Sequence, residues 1–332
     1  MTPNRMSVIC VSPFMCGLFG LLRSPRADHP GRASDAFVAL GTLAEERGSD
    51  SAGVAFLTGH PAATGGPPRR PEGHRDERRS DLAHDGCRVV KGRGRFTSIW
   101  RPDLLDDLDR SPVVLGHTRW ATQGSPFELD NASPLVIEAA AAGTSGNAAP
   151  AGIVATHNGD IEAGLLRARY ALPDATGTTD SEPLFQLLAG CPSPSEVADA
   201  LGTIVGRAAL AWVRRDRPHR VHLARAALSP LAVAADTDHN LYWASNPRWF
   251  RDVQRHTSVR FATVVMLREG TYLRVGATSR HPAVLSGGTF VPTARAWDLD
   301  DRVWTGFTPE DAERDRAALR HRVAKAGLAT VA

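Results

Sequence analysis

Met15-Cys16-Gly17-Leu18-Phe19-Gly20 sets one thiol at the head of a short apolar run that continues to Leu22 and stops before Pro25. A run of that length closed by a proline reads as a buried strand, so Cys16 begins a core strand as a candidate nucleophile. Working outward, Phe37, Leu40 and Leu43 recur at helical spacing over residues 33–46, with Ser34 or Asp35 as the cap. A strand of small residues follows through Val54, Ala55 and Phe56, and the runs CRVVKG from Cys87 and VVLGHTRWAT from Val113 read as strands. RPDLLDDLDR between them is a short helix or turn. PLVIE and GIVATHNGDIE flank an Ala- and Gly-rich patch at 139–152, which predicts a hairpin. Helical patterns cover 162–170 and 181–189, the second preceded by the capping residues Thr179-Asp180-Ser181-Glu182. From residue 203 the pattern returns to strands. Strands in two batches with helices between them predict sheets packed together and covered by helices, an α+β fold without alternating βαβ units.

Three segments stand apart from this pattern. Residues 1–15 precede the nucleophile, and residues 59–86 are rich in Pro, Gly, Arg and Asp without any apolar period, which predicts a disordered surface insertion. Beyond residue 276 the chain reads as irregular until Thr308-Pro309 opens a terminal helix that closes near Gly327. The expected organisation is therefore an extension at 1–15, one domain over 16–276 and a tail over 277–332.

Composition narrows the class. With 42% hydrophobic residues, the 332-residue chain can bury a sizeable core. Thirty-nine basic and 36 acidic residues leave a formal charge of +3, and lysine occurs only at Lys91 and Lys325. Arginine scattered with so little excess argues against nucleic-acid binding, which needs basic residues gathered on one face. Cys10, Cys16, Cys87 and Cys191 show no paired spacing, which argues against a metal site or disulfide framework and for a reducing cytoplasm. Residues 6–22 are apolar but contain Pro13, Gly17 and Gly20 and fall short of the roughly 20 residues of a membrane span.

The polar clusters are RGSDSAG at 47–53, GHTRWATQGSP at 116–126, NASP at 131–134, HNGDIE at 157–162 and TTDSEP at 178–183. Each has a plain structural explanation alone: a glycine turn, a capping Asp180, or Arg119 paired with a structural carboxylate. In this order behind Met-Cys-Gly they resemble the class II glutamine amidotransferases of the N-terminal-nucleophile hydrolase superfamily. The likeness is greatest to the glutaminase domain of the isomerising glutamine–fructose-6-phosphate transaminases. It runs from Cys16 to about residue 276.

The resemblance implies a four-layer αββα sandwich and hydrolysis of glutamine to glutamate and ammonia, with no cofactor. It gives Cys16 the role of nucleophile and its own α-amine that of base. It makes Asn158 and Gly159 the oxyanion donors and assigns Arg119, Thr122 and Asp180 to the amino-acid end of the substrate. Arg47 supports the Asn158 region and Trp120 walls the site. Gln123 and Ser133 stand where that family's sugar-phosphate enzymes usually carry histidines, Ser49 replaces a tyrosine, and Asp160 follows the HNG. These departures fall outside the nucleophile and oxyanion groups and weaken the expectation of the same acceptor. A separate synthase or ligase is the expected recipient of the ammonia. The base requires a free amine at Cys16, so either translation starts at Met15 or residues 1–15 are a propeptide. If the amine stays blocked, the chain is a glutamine-binding or regulatory subunit without turnover. A hydrolase of some other amide is a third reading, against which the opposite charges of Arg119 and Asp180 argue.

Overall fold

The computed structural model describes residues 16–58, 78–84, 86–138 and 152–299. The extension, most of the 59–86 insertion, the tip of the hairpin and the terminal helix lie outside them. The strands are β1 (Gly17–Leu22), β2 (Ser51–Leu57), β3 (Arg79–His84), β4 (Cys87–Arg93), β5 (Val113–Arg119), β6 (Leu135–Ile137) and β7 (Ile153–Ile161). They continue with β8 (Gly206–Arg214), β9 (Arg220–Arg225), β10 (Ala232–Asp236), β11 (Leu241–Ala244), β12 (Phe261–Met266), β13 (Thr271–Ala277) and β14 (Pro282–Thr289). The helices are α1 (Pro30–Ala44), α2 (Phe96–Ile99), α3 (Leu105–Arg110), α4 (Ala163–Arg169), α5 (Ser181–Ala189), α6 (Pro194–Leu201) and α7 (Pro247–His256).

One sheet runs β12-β10-β11-β1-β5-β2-β4-β3 and the other β14-β13-β9-β8-β7-β6. Their strand pairs are antiparallel, as short connections between neighbours permit. β1 is central in the first sheet, and alternation sends its side chains two ways. Phe19 and Leu21 join Phe37, Leu40, Phe96 and Trp249 beneath α1 and α7, whereas Leu18 and Leu22 join Leu115, Val154 and Leu223 between the sheets. A third core packs Leu184, Phe185, Val197 and Leu201 of α5 and α6 on Trp212 and Tyr272 of the second sheet. The result is the expected α+β sandwich, helices on sheet on sheet on helices. A strand buried on both faces must be apolar at every position, which is why GLFGLL lacks the alternation of a half-exposed strand.

The local readings need several corrections. α1 begins at Pro30, and neither Ser34 nor Asp35 caps it. The Ser34 hydroxyl accepts from Arg23 Nη2 at 2.6 Å and donates to Asp109 instead. Asp180 precedes α5 without capping it through its side chain. Part of the segment read as insertion is the edge strand β3, where Asp81 accepts from Arg88 and Arg101. Three helices lie outside the predicted pattern: α2, α6, with a capping box of Ser193 and Glu196, and α7, whose first turn is held by Asn246. Strand β14 follows residue 276 and pairs with β13, so the second sheet extends further than the irregular pattern suggests.

Candidate active site

The site forms where the ends of β1 and β5 in one sheet meet β7 in the other. β1 and β5 pair with Gly17 opposite Thr118, which brings Cys16 level with Arg119. That approach depends on glycine: a Cβ at Gly17 would lie 2.4 Å from Thr118 Oγ1 and 2.8 Å from the Ala44 carbonyl. Arg47, buried in the turn after α1, donates from Nε to the Cys16 carbonyl at 2.8 Å. The Cys16 thiol donates to the Trp120 carbonyl at 3.5 Å. Burial pushes that thiol up to about 11, outweighing the Trp120 hydrogen bond and the charges of Arg119 and Arg47 that favour the thiolate. At neutral pH it is a thiol, and any attack needs a base to remove its proton.

Across the gap, His117 of β5 donates from Nε2 to the His157 carbonyl of β7 at 2.8 Å. Burial drives His117 down to about 3, so it is neutral, and donation from Nε2 leaves Nδ1 as an acceptor. Gly159 has φ +154°, and a Cβ there would lie 1.9 Å from the Arg207 carbonyl. Only glycine fits at that point of β7.

Asn158 is fully buried one residue earlier, its Nδ2 directed at Ser245 Oγ 3.1 Å away. The same hydroxyl accepts from Leu18 N at 2.9 Å, and Ser245 N donates to the Leu18 carbonyl at 2.8 Å. Asn158 Oδ1 has no hydrogen-bond partner among the described residues. A half-turn of the amide satisfies Oδ1: Ser245 accepts from Leu18 and donates its hydroxyl proton to Oδ1, and Nδ2 is left as a free donor. Ser245 thus ties β1, which follows Cys16, to the amide of Asn158.

The charged groups complete the arrangement. Asp180 is buried; Oδ2 accepts from Ile161 N at 2.8 Å, and burial raises its pKa. Ser181 bridges it to His157, with Oγ 3.4 Å from Asp180 Oδ1 and 2.9 Å from His157 Nδ1. Arg119 is folded under its own loop, donating to the carbonyls of Gln123 at 2.6 Å and Ser125 at 3.1 Å. Gln123 in turn donates to Asp160 at 2.6 Å. Asp160 is gripped by Arg295 at 2.9 Å, so a residue well past 276 fixes the rim of the site.

Cys16, Arg119, Trp120, Thr122, Gly159 and Asp180 therefore line one cavity of about 20 Å³. Asn158 and Arg47 stand behind it, on Ser245 and the Cys16 carbonyl. His117, His157, Ser181 and Ser245 were assigned no role from sequence. The two histidines lie inside the quoted GHTRW and HNG motifs, but nothing local marks Ser245, which reaches the site only through the β1–β11 pairing.

No family model matches the chain. It is 30% identical over 190 residues to mouse amidophosphoribosyltransferase, covering 56% of this chain and 30% of that protein. It is 24% identical over 318 residues to the isomerising glutamine–fructose-6-phosphate aminotransferase of Lactococcus lactis, covering 93% of this chain and 45% of that one. To the Pyrobaculum aerophilum aminotransferase of the same name it is 27% identical over 271 residues, or 78% and 36% of the two chains. The chain thus spans less than half the length of these relatives. Among solved structures, the glutamine phosphoribosylpyrophosphate amidotransferase of B. subtilis, complexed with ADP and GMP, superposes with a TM-score of 0.53 at 16% identity. That match covers 86% of this chain and 52% of the other and establishes the fold. By the order of its motifs, its four layers and these relatives, the chain is related to the class II glutamine amidotransferases and shares their N-terminal-nucleophile hydrolase fold.

Proposed function

We propose that the chain hydrolyses the side-chain amide of L-glutamine to glutamate and ammonia, using Cys16 as nucleophile and its freed α-amine as base. The observation that carries this reading is the convergence of Cys16, Arg119, Gly159 and Asp180 on one cavity. A guanidinium and a carboxylate of opposite sign suit the α-carboxylate and α-ammonium of an amino acid, with the thiol aimed at its side chain. An ammonium beside Asp180 also offsets the burial that raises its pKa.

The amine takes the Cys16 proton as sulfur attacks the amide carbon, and the oxyanion is held by Gly159 N–H and the turned amide of Asn158. The proton passes to the departing nitrogen, which leaves as ammonia, and a thioester remains. Water, deprotonated by the same amine, opens the thioester, giving glutamate and the free thiol. An α-amine has a pKa of about 7.7–8.0, close to the working pH of a general base. A thiol near 11 supplies little thiolate of its own, which makes the base necessary. The cavity of about 20 Å³ holds little more than a water, so glutamine binding requires the loop after Arg119 to open and release its guanidinium.

Glutamate release measured with glutamine tests this directly. Cys16→Ala abolishes turnover, and Arg119→Ala raises KM about a hundredfold or more, as for loss of a buried charge partner. Mass spectrometry of the active protein should find Cys16 at the N-terminus; active enzyme still carrying residues 1–15 would overturn the base assignment. Glutamine binding by calorimetry without turnover selects the reading of a binding subunit. The ammonia serves a synthase or ligase, and co-purification identifies that acceptor.

A further inference from the structure

On the outer face of the second sheet, away from Cys16, a cavity of about 170 Å³ opens beside the first turn of α6. Its walls include Arg214, Arg217, Arg220 and Arg274, with His222 and Tyr272, and no acidic side chain. The register explains why these cations meet. Residues two apart on a strand share a face, so Trp212 and Arg214 of β8, Arg220 and His222 of β9, and Tyr272 and Arg274 of β13 all project the same way. Val213 lies opposite Val221 and Arg274 opposite His222, which sets Arg214 across from Arg220 and Arg274 one row away. Like charges facing each other on neighbouring strands destabilise a sheet, and here three adjacent strands contribute one each.

Little within the described residues offsets that charge. Asp216 accepts from Arg214 at 3.2 Å and lies 3.8 Å from Arg217. Glu196 is held by the Ser193 hydroxyl and backbone in the α6 capping box. Arg274 Nε is buried without a hydrogen-bond partner among the described residues. His222 donates to or accepts from Tyr272 Oη at 2.8 Å, and burial together with the arginines holds it down at about 3, so it is neutral beside the cations. The floor is rigid, since Trp212, His222 and Tyr272 stack in series with centroids 4.9 and 5.9 Å apart.

We infer that this cavity is a binding site for the phosphoryl group of a small molecule, gripped by Arg214, Arg220 and Arg274. A phosphoryl group carries up to two charges and three acceptor oxygens, enough for guanidinium forks arriving from three strands. The Pro192–Pro194 turn lines the wall left for the rest of the ligand. The site shares no lining residue with the Cys16 cavity.

Inorganic pyrophosphate is the probe, titrated by calorimetry into the full chain at constant ionic strength, with citrate in a parallel arm. The wild type should bind pyrophosphate with saturable one-site stoichiometry and citrate more weakly. Arg274→Gln and Arg220→Gln should each weaken pyrophosphate about tenfold or more, as expected for loss of a charge-assisted hydrogen bond. Glutamine turnover should be unchanged in both, and without ligand Arg220→Gln should melt no lower than the wild type, because it removes a like-charge contact. No pyrophosphate binding at millimolar concentration, equal binding by the wild type and both variants, or citrate binding as tightly as pyrophosphate would overturn the inference.

Discussion

Ser245 is a side chain that joins the two halves of the site. Its hydroxyl touches Leu18 N, two residues from Cys16, and the Asn158 amide at 3.1 Å. With Ser245 replaced by Ala, no described residue holds Oδ1, and the amide is free to turn away from the oxyanion of the proposed mechanism. Ser245→Ala should therefore lower kcat about ten- to a hundredfold with little change in KM, short of the hundred- to thousandfold loss typical of deleting an oxyanion donor outright. Steady-state kinetics separates the two constants, and a KM effect without a kcat effect contradicts this positioning role. Gly159→Ala should be inactive for a different reason, since the Arg207 carbonyl 1.9 Å from the new Cβ forces β7 out of register.

At the scale of elements, the segment after β5 both occupies and closes the site. Arg119 holds its carbonyls, and Asn131 pins its far end: Nδ2 donates to the Ser125 carbonyl and Thr178 Oγ1 at 3.1 Å, and Oδ1 accepts from Thr178 N at 2.8 Å. Glu182 fixes the opposing turn by accepting from Thr176 and Gly177. Asn131→Ala should loosen the closed form and so raise the population of the open form that admits glutamine, lowering KM several-fold while kcat changes little, because apparent affinity rises in proportion to the binding-competent fraction. Hydrogen exchange over residues 120–131, with and without glutamine, checks it: the variant should exchange faster in both. Unaltered exchange and KM would show that Asn131 does not set the loop.

For the whole molecule, burial of neutral histidines couples stability to pH. His117 and His222 are both depressed to about 3, against an ordinary value near 6.5. Between those limits the unfolded chain binds protons that the folded chain does not, so stability is complete above about pH 6.5 and falls as pH drops toward 3. Each histidine contributes a slope of at most about 1.4 kcal/mol per pH unit. Urea unfolding at a series of pH values should show this loss, and His117→Asn should flatten it by one proton's worth. At the alkaline end, Cys16 is raised to about 11, so its share of stability is present below about pH 9 and is lost as pH rises through 11.

What could be read along the chain was whatever neighbours decide. GLFGLL is apolar throughout because β1 is covered on both faces, α5 follows its helical spacing, and Cys16, Arg119, Asn158, Gly159 and Asp180 stand out in their motifs. Some missed features were local too, such as the Ser193–Glu196 box that opens α6. Tertiary structure alone decided that Asp180 accepts from Ile161 instead of capping α5, that Ser34 serves Arg23, and that the thiol is held near 11. It also brought Ser245 to Asn158 and gathered Arg214, Arg220 and Arg274 from three strands. The physical reason is common to all of these: burial and hydrogen-bond partners arise between strands distant in sequence, and the register that pairs those strands is settled only when the two sheets pack.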